Sequence, residues 1–192
     1  MSHKFPALEP QHQTFIAAQK IFFVASAAPQ GRVNVSPKGM ASFAVLGPNA
    51  VAYLDCTGSG NETRAHLLAN PRLTIMFCAF DGDPVVLRLY GQGRSHLRGG
   101  ADYAALLPHF EEMPGARQIV TLDVDLVQTS CGMAVPLYDF RDERQNLVRY
   151  WTRQGLDGLR KYWGKKNMAS IDGLPTQLAP EAMAPPIPAS PI

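Results

Sequence analysis

The sequence is short of cysteine, of charge and of long apolar runs. Its three cysteines, Cys56, Cys78 and Cys131, are odd in number and far apart. They form neither a metal-ligand spacing nor a disulfide framework, so reduced thiols are expected. The five histidines are scattered without a His-x-x-x-His pair, which argues against a zinc site. Eighteen Lys and Arg stand against 16 Asp and Glu, a net charge of +2. That surplus is too small to point to nucleic acid or an acidic membrane. No window approaches the roughly 20 apolar residues of a spanning helix. Residues 1–10 lack the apolar core of a signal peptide. A cytoplasmic protein with no membrane or nucleic-acid partner is expected. There is no internal repeat and no strand–helix–strand alternation of the dinucleotide-binding kind. Gly91-Gln92-Gly93 lies inside a strand pattern rather than ahead of a helix, so it is no dinucleotide fingerprint.

What remains is a chain of 192 residues, 46% apolar, long enough to bury its own core. Residues 11–20 suit a short helix. An apolar, β-rich stretch at 21–27 turns at Pro29-Gln30-Gly31 and pairs back through 32–36. Residues 42–46 and 51–55 flank Gly47-Pro48-Asn49, a turn signal. Ser59 or Asn61 can cap a helix that runs to Ala69 and stops at Asn70-Pro71. Residues 73–80 form an apolar run, and 85–95 a long strand in which Gly91 and Gly93 suggest a bend or bulge. A short helix at 101–107 precedes the clean alternation of 118–129. Residues 142–166 read as a helix interrupted near Gly155 or Gly158, with Leu147, Trp151, Leu159 and Trp163 on its apolar side. One domain is expected over residues 1–173, followed by a Pro- and Ala-rich tail, 174–192, that is mobile or wraps a partner. Six or more short strands with tight turns, and a helix after the fourth, predict a mainly-β antiparallel barrel with peripheral α-helices.

Two segments carry candidate chemistry. Val33-Asn34-Val35-Ser36-Pro37-Lys38-Gly39 reads as a strand ending at a lysine, and Thr57-Gly58-Ser59-Gly60-Asn61-Glu62-Thr63 as a loop entering a helix. The first helical turn presents unpaired amides and the positive end of the dipole, Gly58 and Gly60 allow close approach, and Thr57, Ser59 and Thr63 add hydroxyls. With the Lys38 ammonium these would grip a phosphate. The same residues also fit a plain helix cap beside a solvated lysine.

The order of a hairpin, Val33-Asn34-Val35-Ser36-Pro37-Lys38-Gly39, a strand, Gly58-Ser59-Gly60-Asn61-Glu62-Thr63, His66-Leu67, Asn70-Pro71, an apolar strand and Leu87-Arg88-Leu89-Tyr90-Gly91-Gln92-Gly93-Arg94 resembles the pyridoxamine 5'-phosphate oxidase-like, FMN-binding split-barrel superfamily. The likeness covers roughly residues 11–130. Gln128-Thr129-Ser130-Cys131-Gly132 and Ser170-Ile171-Asp172-Gly173-Leu174-Pro175 are similar to a bacterial and fungal branch whose substrates are undefined. The resemblance implies a Greek-key split β-barrel, a homodimer with FMN between the two barrels, and a small-molecule substrate. It sets Asn34, Val35 and Ser36 beside the flavin, Lys38 near its phosphate, and Thr57, Ser59, Asn61 and Thr63 around the phosphate loop. It sets Arg88 at the edge of the flavin ring, where a cation favours the reduced, negatively charged form.

Two departures stand out. Where the oxidases clamp phosphate with an Arg-Lys pair, this chain has Glu62 and Thr63, which leaves the charge to Lys38 or Arg64. Where they carry Arg-Leu-x-Pro, it has Gln177-Leu178-Ala179-Pro180. Cys131 is read either as a thiol near the flavin or as a small, buried strand-end residue. Cys78 is read as core. His66 is read as too far along its helix to meet a phosphate. Arg141, Arg144, Arg149 and Arg153 meet an anionic substrate or form a solvated face. No residue pair stands out as general acid and base. The function expected is that of an FMN-dependent oxidoreductase; the alternatives are a flavin carrier or sensor without turnover, and a split barrel for haem or a deazaflavin.

Overall fold

In the computed structural model, which describes residues 2–183, the strands in chain order are β1 (His3–Phe5), β2 (Phe22–Ser26), β3 (Asn34–Lys38), β4 (Phe43–Gly47), β5 (Ala50–Cys56), β6 (Arg72–Cys78), β7 (Val85–Leu97) and β8 (Ala116–Cys131). The helices are α1 (Pro10–Ala18), α2 (Glu62–Ala69), α3 (Ala101–Leu106) and α4 (Asn146–Lys166). The strands join in one sheet of order β3-β2-β6-β7-β8-β5-β4, all pairs antiparallel, with β1 added to β8. β8 organises it. One edge of β8 pairs along all of β7, and the other takes β5 over its first half and β1 near its end. Its apolar residues show why: Val120, Leu122 and Val124 alternate into the core, and the register shift opposite Gly91 brings in Val127 in place of Leu126.

The core is a layer of aliphatic and aromatic side chains inside the curved sheet. Phe22, Phe43, Tyr53 and Phe77 meet there edge-on or tilted, with ring centroids 5.0–5.8 Å apart. The sheet bends at Gly91, where the β7–β8 register shifts. A side chain at that position would lie 1.9 Å from the Asp123 carbonyl oxygen, so only glycine fits the bulge. At Gly155 the backbone turns to φ 63° and kinks α4. Trp151, Leu159 and Trp163 nevertheless share one buried face, as their spacing implies.

Three elements differ from the expectation. β1 is too short to show a period; its place is set by pairing with β8. β3 starts at Asn34 rather than at residue 32; it ends at Lys38 as expected, running through Pro37, which an edge strand bonded only to β2 tolerates. The segment after Leu174 is not a loose tail as far as it is described: Thr176, Leu178 and Met183 are buried, the last two against α4. The rest of that expected tail, 184–192, lies outside the described residues. Among the described residues no helix is long and apolar enough to cross a membrane.

Candidate functional site

The pleat of β3 divides its residues by face. Asn34, Ser36 and Lys38 turn inward, while Val35 and Pro37 turn out. The inward three form one wall of a 660 Å³ cavity. Opposite stand the end of β5, the loop of Gly58, Ser59 and Gly60, and the first turns of α2. Asn34 Nδ2 donates to Ser36 Oγ at 3.1 Å and reaches Thr63 Oγ1 at 3.4 Å, so strand and helix meet through polar atoms. Asn61 stands at the N-cap of α2, and its side chain makes no capping hydrogen bond. Its oxygen instead accepts from Gln118 Nε2 at 3.0 Å. The positive end of α2 therefore faces the cavity without an internal cap.

Lys38 is not a free cation. Its ammonium lies 2.5 Å from Asp55 Oδ1. The other oxygen of Asp55 accepts from Arg117 Nε at 2.9 Å and from Gln118 Nε2 at 2.7 Å. Burial pushes the Asp55 carboxyl up, but the Arg117 and Lys38 cations and the hydrogen bonds from Lys38 and Gln118 outweigh it. They hold the group well below the usual carboxylate range. Arg117 further donates to Gly60 O at 2.8 Å and Asn167 Oδ1 at 2.9 Å, tying β8 to the loop and to the end of α4. Lys38, Arg32, Arg117 and Lys166 line the cavity against Asp55 and Glu62, which leaves a positive surplus. Cys56 lies beside Asp55; burial and that neighbouring carboxylate push its thiol up to about 11, so it stays protonated near neutral pH.

A strap from the C-terminal side forms a further wall of the cavity. Ala169, Ser170 and Ile171 line it. The Ile171 amide donates to both carboxylate oxygens of Glu62, at 3.1 and 3.0 Å. Asp172 accepts from the Arg32 amide at 2.7 Å and pairs with the Arg32 guanidinium. Glu62 therefore anchors the strap through its carboxylate. Arg64 supplies no charge to the cavity: it is buried, donating to Thr176 O and to Ser95 Oγ.

Five of the expected site residues come together at this cavity: Asn34, Ser36, Lys38, Ser59 and Thr63. Four do not. Val35 is exposed on the outer face of β3. Thr57 is buried, its hydroxyl donating to Gly115 O and accepting from Trp163 Nε1, both at 2.7 Å. Asn61 is buried against Gln118. Arg88 lies on β7, away from this cavity, and donates to Ser130 Oγ at 3.0 Å. Cys131 ends β8 as a strand-end residue, but exposed rather than buried; Cys78 is core.

Asp55, Arg117, Arg32 and Lys166 line the cavity and were missed by sequence reasoning, which had set His66 aside as too far along its helix. His66 does reach the cavity wall, with Nδ1 3.0 Å from Ser26 Oγ. A signal for Asp55 existed: a carboxylate ending an apolar strand needs a cationic partner. Nothing local marked Arg117 as that partner, since the two lie 62 residues apart.

This sheet, with a polar cavity between its edge strand and the start of a helix, defines a split β-barrel. The family model described as pyridoxamine 5'-phosphate oxidase matches residues 8–131. The chain is 38% identical to the pyridoxamine 5'-phosphate oxidase family protein ustO of Aspergillus flavus, over 89% of this chain and 76% of that protein. The chain belongs to the pyridoxamine 5'-phosphate oxidase family. Solved structures share the fold at low identity. HupZ of Group A Streptococcus, in a single-substitution form, has a TM-score of 0.51 and 17% identity, over 64% of this chain and 98% of that one. A Clostridium acetobutylicum protein related to general stress protein 26 has a TM-score of 0.50 and 13% identity, over 63% and 86%.

Proposed function

We propose that the protein binds FMN in the cavity between β3 and α2 and acts, as a homodimer, as a flavin-dependent oxidoreductase on a small molecule. The observation that carries this reading is the convergence of Asn34, Ser36, Lys38, Ser59 and Thr63 on one positively biased cavity beside an uncapped helix start. The donor set fits a phosphate with a hydroxylated chain: an ammonium, helix amides and hydroxyls for the first, amide and hydroxyl side chains for the second. At 660 Å³ the cavity also falls in the size range of about 300–1,000 Å³ usual for cofactor sites.

Lys38, the first-turn amides of α2 and Thr63 would hold the phosphate; Asn34 and Ser36 would orient the chain that leads from it. FMN, when bound, supplies reversible electron transfer to and from the substrate. The protein's own contribution is to position and to exclude water. The strap of Ala169, Ser170 and Ile171 walls one side of the cavity, and Asp55 holds the Lys38 ammonium at it. Family membership supports the reading. Fluorescence titration of the purified protein with FMN and with riboflavin tests it. FMN should bind much more tightly, because only FMN carries the phosphate. Equal affinities would remove the cavity's role. Anaerobic addition of NADH or NADPH then separates an oxidoreductase, whose flavin bleaches, from a carrier, whose flavin does not.

A further inference from the structure

A second and larger cavity, of 1520 Å³, adjoins the first and shares Lys38, Gly58 and Ser59 with it. Its walls are ring-rich. Phe80 and Tyr138 stack at 5.6 Å with a 35° tilt, and Trp151 meets Tyr162 edge-on at 5.2 Å. Tyr138 and Phe140, on the irregular segment after β8, are 65% and 55% exposed, and Tyr150 on α4 is 41% exposed. Lys20 Nζ lies 5.8 Å from the Phe140 centroid and the Arg153 guanidinium 5.9 Å from that of Tyr150, yet a large part of each ring stays open among the described residues.

The charges in the two cavities differ. The first has four cations against two carboxylates. In the second, Lys20, Lys38, Arg141 and Arg144 are matched by Asp81, Asp139, Asp142 and Glu143. A ligand there finds ring faces and both signs of charge in equal number. Such a site gains from apolar and stacking contact and has no surplus with which to offset the desolvation of a phosphate.

From this we infer that the second cavity is the substrate site and takes an aromatic molecule without net charge. The inference rests on the reading of the first cavity as the FMN site, since the shared wall of Lys38, Gly58 and Ser59 would put the ligand next to the cofactor. It also separates this protein from an enzyme whose substrate is itself a phosphate ester. The cationic face that α4 and its approach show in the sequence is accordingly not an anion trap: Arg141 and Arg144 stand beside Asp142 and Glu143.

The test uses 2-naphthol and 2-naphthyl phosphate, which share a ring system and differ in charge. Binding is read by quenching of tryptophan fluorescence, since Trp151 lines the cavity, in both the flavin-free and the FMN-loaded full chain. 2-Naphthol should saturate in both forms and perturb the visible band of bound FMN. 2-Naphthyl phosphate should bind the FMN-loaded protein at least tenfold more weakly. The double variant Tyr138→Ala/Phe140→Ala should lose at least fivefold in naphthol affinity while FMN affinity stays unchanged. Naphthyl phosphate binding the loaded protein as tightly as naphthol would overturn the inference. So would absence of saturable naphthol binding, or an undiminished affinity in the double variant. Binding that appears only after residues 184–192 are removed, or only when the double variant has turned a dimer into monomers, would assign the cavity to the chain itself and overturn it too. Protein that binds naphthol but takes up no FMN overturns the reading of the first cavity and not the ligand class of the second.

Discussion

The site turns on one carboxylate. Asp55 sits 2% exposed between Lys38 and Arg117 and is the hub through which two cations are held close together. Removing its charge leaves both cations facing each other with no counter-ion, so Asp55→Asn should destabilise the fold by roughly 3–5 kcal/mol, the scale of a broken buried pair. Because a bound phosphate would replace the missing negative charge, FMN should raise the melting temperature of Asp55→Asn more than that of the parent. A thermal scan with and without FMN decides it; equal shifts would mean the anion does not sit on these cations. The pH dependence follows with its sign. The folded pKa of Asp55 lies below its unfolded value, so its contribution is fully present above the ordinary carboxylate range and is lost as pH falls through and below it. Urea midpoints should therefore drop on acidification below about pH 4, and drop less steeply in Asp55→Asn. Lys38→Ala should weaken FMN binding by roughly 1.5–3 kcal/mol, the scale of a charged hydrogen bond, and leave riboflavin unchanged. If riboflavin affinity falls as far, Lys38 does not meet the phosphate. At this scale the sequence showed the ligand types but not their partners. The inward residues Asn34, Ser36 and Lys38 were legible because a strand alternates its faces; the pairing of Lys38 with Asp55 was not, because it depends on which strands close against each other.

Elements explain the residues that went astray. Thr57 has the chemistry of a phosphate ligand and stands next to Gly58, yet it serves α4. Its hydroxyl accepts from Trp163 Nε1, its carbonyl accepts from Trp151 Nε1 at 3.1 Å, and Asn167 Nδ2 donates to Gly58 O at 3.2 Å. The loop is thus held from behind by a helix that lies about a hundred residues downstream. Gly115 belongs to the same joint. Its backbone is at φ 90°, and a side chain there would come within 2.3 Å of the Trp151 ring. Strand and helix patterns were legible because they are local: the apolar face of α4, the bulge at Gly91 and the break at Gly155 each follow from spacing or from glycine alone. The docking of α4 and the strap is tertiary, and no period announces it. Trp163→Phe deletes the donor and leaves a smaller ring in a fully buried site, so it should cost more than the about 0.5–1.5 kcal/mol of the hydrogen bond alone, read by denaturant unfolding. Asp172→Ala unlatches the strap from Arg32 and should speed FMN release in a stopped-flow dilution; an unchanged rate would show that the strap does not cover the ligand.

Across the described residues, one sheet edge presents apolar side chains to solvent. β3 is one of the two edges of the sheet, and Val33 and Val35 beside and on it are 69% and 60% exposed. Uncovered apolar side chains on an edge strand invite pairing or aggregation unless something lies over them. We propose that a second copy does, burying well over about 2,000 Å² in total as obligate homodimers do. Analytical ultracentrifugation should show a dimer at micromolar concentration, and Val33→Lys/Val35→Lys should shift it toward monomer. The split-barrel fold was legible from strand count, turn signals and family likeness together. The cavity, the strap and the proposed dimer all bear on the proposed cofactor. The most direct test is the absorption spectrum of the purified protein, reconstituted with FMN if it emerges colourless, with the released chromophore identified by mass spectrometry. A flavin spectrum and the mass of FMN are expected. A haem Soret band, a deazaflavin, or protein that stays colourless after reconstitution would contradict the assignment.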